Sequence, residues 1–524
     1  MQFSTRPPKP VTRFSRFLRW RSLRWGVGGL IVLLLVLVFF YAEENWRGRQ
    51  AWAAYQRVLK AKGLDFNWHA LAPPPVADRD DFAMTPFFAA LFDYAPGTHT
   101  PRDMVAYNRS ASFAQTGAPY SEARRSSDPV PAMFERRRTD LAGGLQLYRQ
   151  TKGRPNPAGE VKTDDGNRVV VAAAVLGELA KFNPVLGELR AASHRPQARF
   201  NFSYDETNTW RSPQPHLLVL KRVSNVLTLR ASAELALWNA TAAADDVQLV
   251  FKLANSIHDE PFRSSLWARD AMLTNARQII WEGLADRRWS EAQLKEFQSR
   301  LHELNLLSDL QRPLRVEQAS RNDLFNELHR NPTMIKDWQL GPGFWNRALP
   351  YYLWLMPSGW MYREQVAYHR AFEEQLLAAL DTEATRIQPW LVYQAGHGCA
   401  PLWKHHLLAD ILLQTIGWPM TQAAFAQTVN NQTILACALE RYRQANGQFP
   451  VTLEALSPQC IATIPNDVTT GESLKYHRTE DGRFQLYSIG WNGKDDGGKV
   501  AVNPDGKTAD INQGDWVWPQ YPDE

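Results

Sequence analysis

Residues 216–238 read HLLVLKRVSNVLTLRASAELALW. Leu220, Val223, Leu227, Ala231 and Leu235 recur at steps of three or four, which puts them on one face of an α-helix. Residues 239–241 read as a turn, and 242–257 as the next helix. A third is expected over 264–284, SSLWARDAMLTNARQIIWEGL. Ser290, with Glu291 and Gln293 in the turn that follows, predicts the cap of a fourth, reaching about Leu306. Helices joined by short turns make an irregular α-helical hairpin domain, placed at 141–420. Its period is uneven and no repeat consensus recurs. Residues 362–384 predict a further helix, and Gly417-Trp418-Pro419 reads as a boundary before a long helix over 421–446.

Toward the N-terminus, residues 25–42 read WGVGGLIVLLLVLVFFYA, eighteen residues without a charge. At ~1.5 Å each they span roughly 27 Å, close to the hydrocarbon thickness, and only a helix satisfies its own backbone there. Trp20, Trp25 and Tyr41 stand where interfacial aromatics belong. Residues 1–24 carry Arg6, Lys9, Arg13, Arg16, Arg19, Arg21 and Arg24 and no acid. The positive-inside rule then places that tail in the cytoplasm and residues 43–524 outside it. A cleaved signal peptide needs small residues at its end. Phe39, Phe40, Tyr41 and Ala42 stand there instead, so the segment reads as an uncleaved anchor. Residues 43–62 (Trp46, Trp52, Tyr55, Leu59) predict a stalk helix ended by Gly63. Residues 63–140 read as an irregular Pro- and aromatic-rich segment laid over a core that must bury Phe82, Phe87, Phe88, Leu91, Phe92 and Tyr94.

The whole chain of 524 residues is 44% hydrophobic and 22% charged, which excludes a disordered or collagen-like protein. Its net charge of +5 is more than accounted for by the short tail. The body is slightly acidic, so nucleic acid is not an expected partner. Three cysteines, Cys399, Cys437 and Cys460, are either buried thiols or include one disulfide, for which Cys437 and Cys460 are the nearest pair.

Beyond Pro450 the texture changes. Two β-type runs, 474–477 and 484–489, flank Asp481-Gly482, a hairpin signal. The order is Tyr442-x4-Gly447-x2-Pro450, Pro465-x-Asp467, Tyr487-Ser488-x-Gly490, Gly497-Gly498, Asp510-Ile511 and Trp516. Over about 421–518 this resembles the globular domain of the major pseudopilin of type II secretion systems. The resemblance implies a small α+β domain at 421–524, a link to secretion, and a calcium-binding loop. The family's ligand positions fall at Asn492 and Asp510, with Asp495 and Asp496 as further oxygen donors. A solvated acidic turn is the other reading of the same residues. No prepilin-peptidase site occurs near residues 20–35, and residues 43–420 separate the membrane helix from this domain. The layout as a whole resembles other large membrane-anchored bacterial proteins that end in such a unit.

No nucleophile elbow, phosphate loop, dinucleotide fingerprint or zinc-protease motif occurs. His397, Cys399, His405 and His406 cluster in GHGCAPLWKHH without a zinc spacing. His406 and Asp410, and His369 and Glu373, are spaced i, i+4. The carboxylate pairs 80–81, 164–165 and 245–246 read as surface or capping residues. Of the 20 Trp, Trp338, Trp345, Trp354 and Trp360 crowd near Tyr351, Tyr352 and Tyr362. They read as helix-packing aromatics, a glycan platform or a bilayer contact. The expectation is therefore a mainly α, single-pass protein of the bacterial envelope that touches the lipid bilayer and other envelope proteins in a structural role. The alternative is an envelope hydrolase with its site in the helical domain.

Overall fold

The computed structural model describes residues 13–519, apart from 65, 67, 99, 117–131, 151–164, 203–213, 332–333, 336–343, 398–406 and 504–508. It is mainly helical, with a few short strands near the C-terminus. Cys399, His405, His406, Trp338 and the basic residues before Arg13 lie outside the described residues. The chain forms two compact units.

The first unit draws on the described parts of Met1–Asp65, Asn322–Arg370 and Cys399–Asp410. Its main element is one helix, Arg13–Ala61, which runs unbroken from the apolar stretch through the expected stalk. Every residue from 24 to 40 is exposed, and the stretch is long and apolar enough to cross a membrane. The helix ends at Gly63, whose φ of 71° is the left-handed stop that glycine tolerates. Trp52 and Leu59 are buried, whereas Trp46 faces solvent rather than joining them. The unit also holds the Phe344–Leu355 helix, most of the Ser358–Ala371 helix, the end of the Leu306–Arg330 helix and the first turn of the Leu407–Asn446 helix.

The second unit holds the described parts of Phe66–Arg321, Ala371–Gly398 and Ile411–Glu524. Its helices Pro215–Ala236, Ala240–Asn255 and Arg263–Ala285 follow the expected pattern closely. Asn239 caps the second of these, accepting from Ala242 N at 3.4 Å. Ser290 and Gln293 form a reciprocal capping box on Glu291–His302. That helix stops short of Leu306, because the Asn305 side chain accepts from Ser308 N at 3.0 Å and starts a new helix, Leu306–Arg330. The aromatic-rich segment buries Phe82, Phe87, Phe88 and Leu91 as expected. It is less irregular than expected, since Asp103 accepts from Val105 N and Ala106 N and opens a helix, Met104–Thr116. Arg168–Ala192 is also apolar enough to span a membrane. It consists of two helices broken at 180–182, and Val171, Val175, Leu179, Leu186 and Leu189 are buried in the core.

The expected break at 417–419 is absent. One helix runs Leu407–Asn446 with Pro419 inside it. Proline there removes a backbone donor and crowds the carbonyl four residues back. The Thr421 hydroxyl bonds the Gly417 carbonyl at 3.3 Å, and Ile416 and Met420 are buried, so tertiary packing carries the helix through. The C-terminal strands pack on the same helix. Strands β3 (Lys475–Arg478), β4 (Phe484–Ser488) and β7 (Trp516–Val517) form one antiparallel sheet, in the order β3-β4-β7. Strands β5 (Val500–Val502) and β6 (Ala509–Gly514) form another, and a two-residue ribbon, β1 (Leu380–Asp381) with β2 (Arg386–Ile387), lies earlier in the chain. The hairpin pairs Lys475 with Tyr487 and Arg478 with Phe484, turning at Gly482 as the Asp-Gly signal indicated.

Residues 411–524 thus share a unit with the earlier helices. Phe425 meets Trp516 edge-on at 5.4 Å and Phe134 at 5.3 Å. Cys437 and Cys460 are both free thiols. Phe425→Ala is expected to cost about 3–5 kcal/mol. Scanning calorimetry of the protein in detergent should show the helices and C-terminal strands melting in one transition; a separate transition for the strands would contradict the shared core.

Candidate functional site

The acidic loop follows β4. Asp495 and Asp496 are exposed, whereas Asn492 and Asp510 are half-buried. Asp495 accepts from Gly497 N at 3.0 Å and from the Tyr487 hydroxyl at 3.2 Å. Asn492 accepts from Lys494 N, and its amide reaches Asp496 at 3.4 Å. Asp510 turns away to its own strand, accepting from Asn512 N at 2.9 Å. The residue that organises the loop is Asp515. It is buried, and it accepts from Asp496 N at 3.2 Å and Gly498 N at 2.6 Å. Burial raises its carboxyl above the usual range, against the pull of these amides. Sequence reasoning missed Asp515; the Gly514-Asp515-Trp516 turn between β6 and β7 was its only signal. Asp495 and Asp510 are engaged by backbone N–H groups, and no three His, Cys, Asp or Glu among the described residues gather to hold a metal.

In the helical part, several buried polar groups bond one another. Glu282 accepts from Thr139 N, the Thr139 hydroxyl, Ser232 and Gln278 within 3.0 Å. Asp246, expected at the surface, is wholly buried between Arg190 and Arg230, and burial pushes its carboxyl up to about 7. Asp245 is exposed, and Asp81 caps the turn at Phe82. His216 bonds Glu260 at 2.8 Å, and the Ser265 hydroxyl donates to the same carboxylate. A serine hydrolase of the triad type needs the imidazole between hydroxyl and acid. Here the acid lies between, and His216 is stacked between Phe200 and Phe202, sealed from solvent. Glu373 is held by Arg315 and Gln318.

The most specific construction lies where the apolar stretch ends. The Ser358–Ala371 helix begins with backbone donors that have no partner within the helix. Asn45, on the long N-terminal helix, accepts from Gly359 N at 2.8 Å and from the Ser358 hydroxyl at 2.9 Å. Glu44 accepts from Trp360 Nε1 at 2.8 Å and pairs with Arg363 at 3.2 Å, placing negative charge at a helix start. Tyr41 donates to the Leu355 carbonyl. Gly48 and Gly359 let the two backbones touch: a Cβ on Gly359 would stand 1.9 Å from the Glu44 carbonyl oxygen. One turn beyond, Trp52 stacks on His369 at 5.6 Å. His369 is wholly buried, and burial pushes its pKa down to about 3. Glu364 accepts from Leu407 N at 2.8 Å and Ala409 N at 3.0 Å, capping the Leu407–Asn446 helix.

Gly359→Ala is expected to force these helices apart and destabilise the first unit by about 1–3 kcal/mol, read as faster proteolysis within 344–371. His369 gives a pH signature. An unfolded histidine takes its proton near 6.5, but this one only near 3. The unfolded chain therefore binds the extra proton between those values. Stability should fall as pH drops below about 6.5, with a slope of at most about 1.4 kcal/mol per pH unit. His369→Phe should flatten that part of the thermal-stability profile; an unchanged profile would assign the acid sensitivity elsewhere. No family model, curated protein or solved structure matches this chain.

Proposed function

We propose that this chain is a single-pass, membrane-anchored protein of the bacterial envelope, with its N-terminus in the cytoplasm and its body in the periplasm. Its role is structural, presenting a folded body to other envelope proteins. The observation that carries this reading is the junction at residues 41–48. The apolar stretch passes without a break into a helix whose next residues cap, pair with and touch the 355–363 segment. A leader destined for removal has no reason to be tied to residues more than 300 positions away. The arginines of the tail and the acids Glu43 and Glu44 support the orientation.

The motif order over 442–516 supports a pseudopilin-like unit, and with it a kinship to secretion machinery. In this reading the unit is part of the folded body rather than a free docking module, because its strands share a core with Phe425 and Phe134. Among the described residues, the buried His216, Glu260 and Ser265 are in the wrong order for a serine-type acyl transfer, so this cluster lends no support to the hydrolase alternative.

The test is carbonate extraction of membranes from cells making the protein, followed by intact mass. The full chain, residues 1–42 included, should remain with the bilayer. A soluble species beginning near residue 43 would overturn the anchor.

A further inference from the structure

Residues 348–362, ALPYYLWLMPSGWMY, contain no charged side chain and are bracketed by Arg347 and Arg363. Leu349, Leu353 and Met361 are buried. Tyr351, Trp354 and Leu355 are not: they are 64%, 70% and 57% exposed. Their spacing, i, i+3 and i+4, puts them on one face of the Phe344–Leu355 helix. Scattered exposed apolar residues mean little on their own. The place of this face gives it meaning. The Leu355 carbonyl is bonded by Tyr41, the last aromatic of the apolar stretch, and Trp360 meets Phe40 edge-on at 6.3 Å. Residues 24–40 are themselves exposed throughout. The exposed face is therefore continuous with the surface of the spanning helix, at the level where that helix leaves the hydrocarbon. Tyrosine and tryptophan favour that level, because each has an apolar ring with a polar tip.

The geometry points to a second membrane contact: the C-terminal turn of the Phe344–Leu355 helix lies in the headgroup–acyl boundary of the bilayer that the N-terminal helix spans, with Tyr351, Trp354 and Leu355 inserted. This contact rests on the anchor reading above. Tyr351 and Trp354 are within about one helical turn, ~6 Å, of Leu355. Interfacial helices bury their apolar face to about 5–10 Å, so all three reach lipid without the helix crossing the membrane. The arrangement fixes the spanning helix at two points, along its own length and through the 351–360 segment tied to its end. It sets the orientation of the first unit on the membrane.

The test uses the full-length protein in phosphatidylcholine vesicles, with Cys399→Ala, Cys437→Ala and Cys460→Ala as background. A single cysteine carrying an environment-sensitive fluorophore replaces Trp25, Tyr351, Trp354 or Lys60 in turn. Lys60 is exposed and lies roughly 28 Å beyond Tyr41 along the helix. Nitroxide-bearing lipids are then added as quenchers. Trp25→Cys, Tyr351→Cys and Trp354→Cys are expected to be quenched at least about twofold more than Lys60→Cys, with emission shifted to the blue. If Trp25→Cys is quenched but Tyr351→Cys and Trp354→Cys behave like Lys60→Cys, the second contact is overturned and the anchor stands. If Trp25→Cys also behaves like Lys60→Cys, the anchor reading itself fails. A blue shift at 351 and 354 without lipid quenching means that a protein surface, such as a second copy of the chain, covers this face, and it too overturns the proposal.

Discussion

The second unit depends on how the Leu407–Asn446 helix is buried. Gln427, Asn430, Asn431 and Gln432 lie at its centre, out of contact with water. Amides in such a place are costly unless hydrogen-bonded. Gln427 accepts from Leu306 N, Asn430 donates to the Leu301 carbonyl, Asn431 to Asn466 and Gln432 to Trp516. The partners are backbone groups from separate stretches of chain, two among the helices and two in the C-terminal region. Rotating or sliding the helix by one residue would strand all four. A purely apolar helix would pack in several registers at similar cost; this one has a single register. The helical layers and the C-terminal strands are thereby placed relative to each other by the same polar row.

The first unit uses a different device. Its helix starts are satisfied from outside: Asn45 serves the Ser358–Ala371 helix, and Glu364 serves the Leu407–Asn446 helix. A helix start is the end at which orphan donors and the positive pole of the dipole coincide, so an oxygen supplied there fixes direction as well as position. The close approach at Gly48 and Gly359 makes the first of these caps reachable by a side chain as short as asparagine.

What could be read from the sequence followed the range of its signals. The helices of 215–302 and the 475–488 hairpin were legible because periodicity, capping boxes and Asp-Gly turns act over a few residues. The helix at 104–116 has such a signal too, in Asp103, but its apolar residues are too sparse to show a face. Pro419 signals a stop because local rules cannot see the packing that carries the helix past it. The sites were less legible. Asp515 reaches back about twenty residues to order a loop, and Asn45 and Glu44 act on residues more than 300 positions later. Neither relation leaves a spacing that one chain can reveal. Asp246 looked like half of a surface pair because adjacent helix residues point apart, one to solvent and one into the core.

The placement of Cys437 has a consequence for how this fold could be followed over time. Its sulfur is wholly buried on the Leu407–Asn446 helix, and burial raises its pKa far above that of a free thiol. The thiolate is the form that reacts with disulfides and alkylating reagents. In an oxidising compartment the native protein therefore keeps this thiol out of exchange with Cys460, although the two are only 23 positions apart in sequence. Modification needs the Leu407–Asn446 helix to leave its seat. Cys437 is thus a built-in clock: its rate of alkylation counts openings of the core, without any label added to the chain.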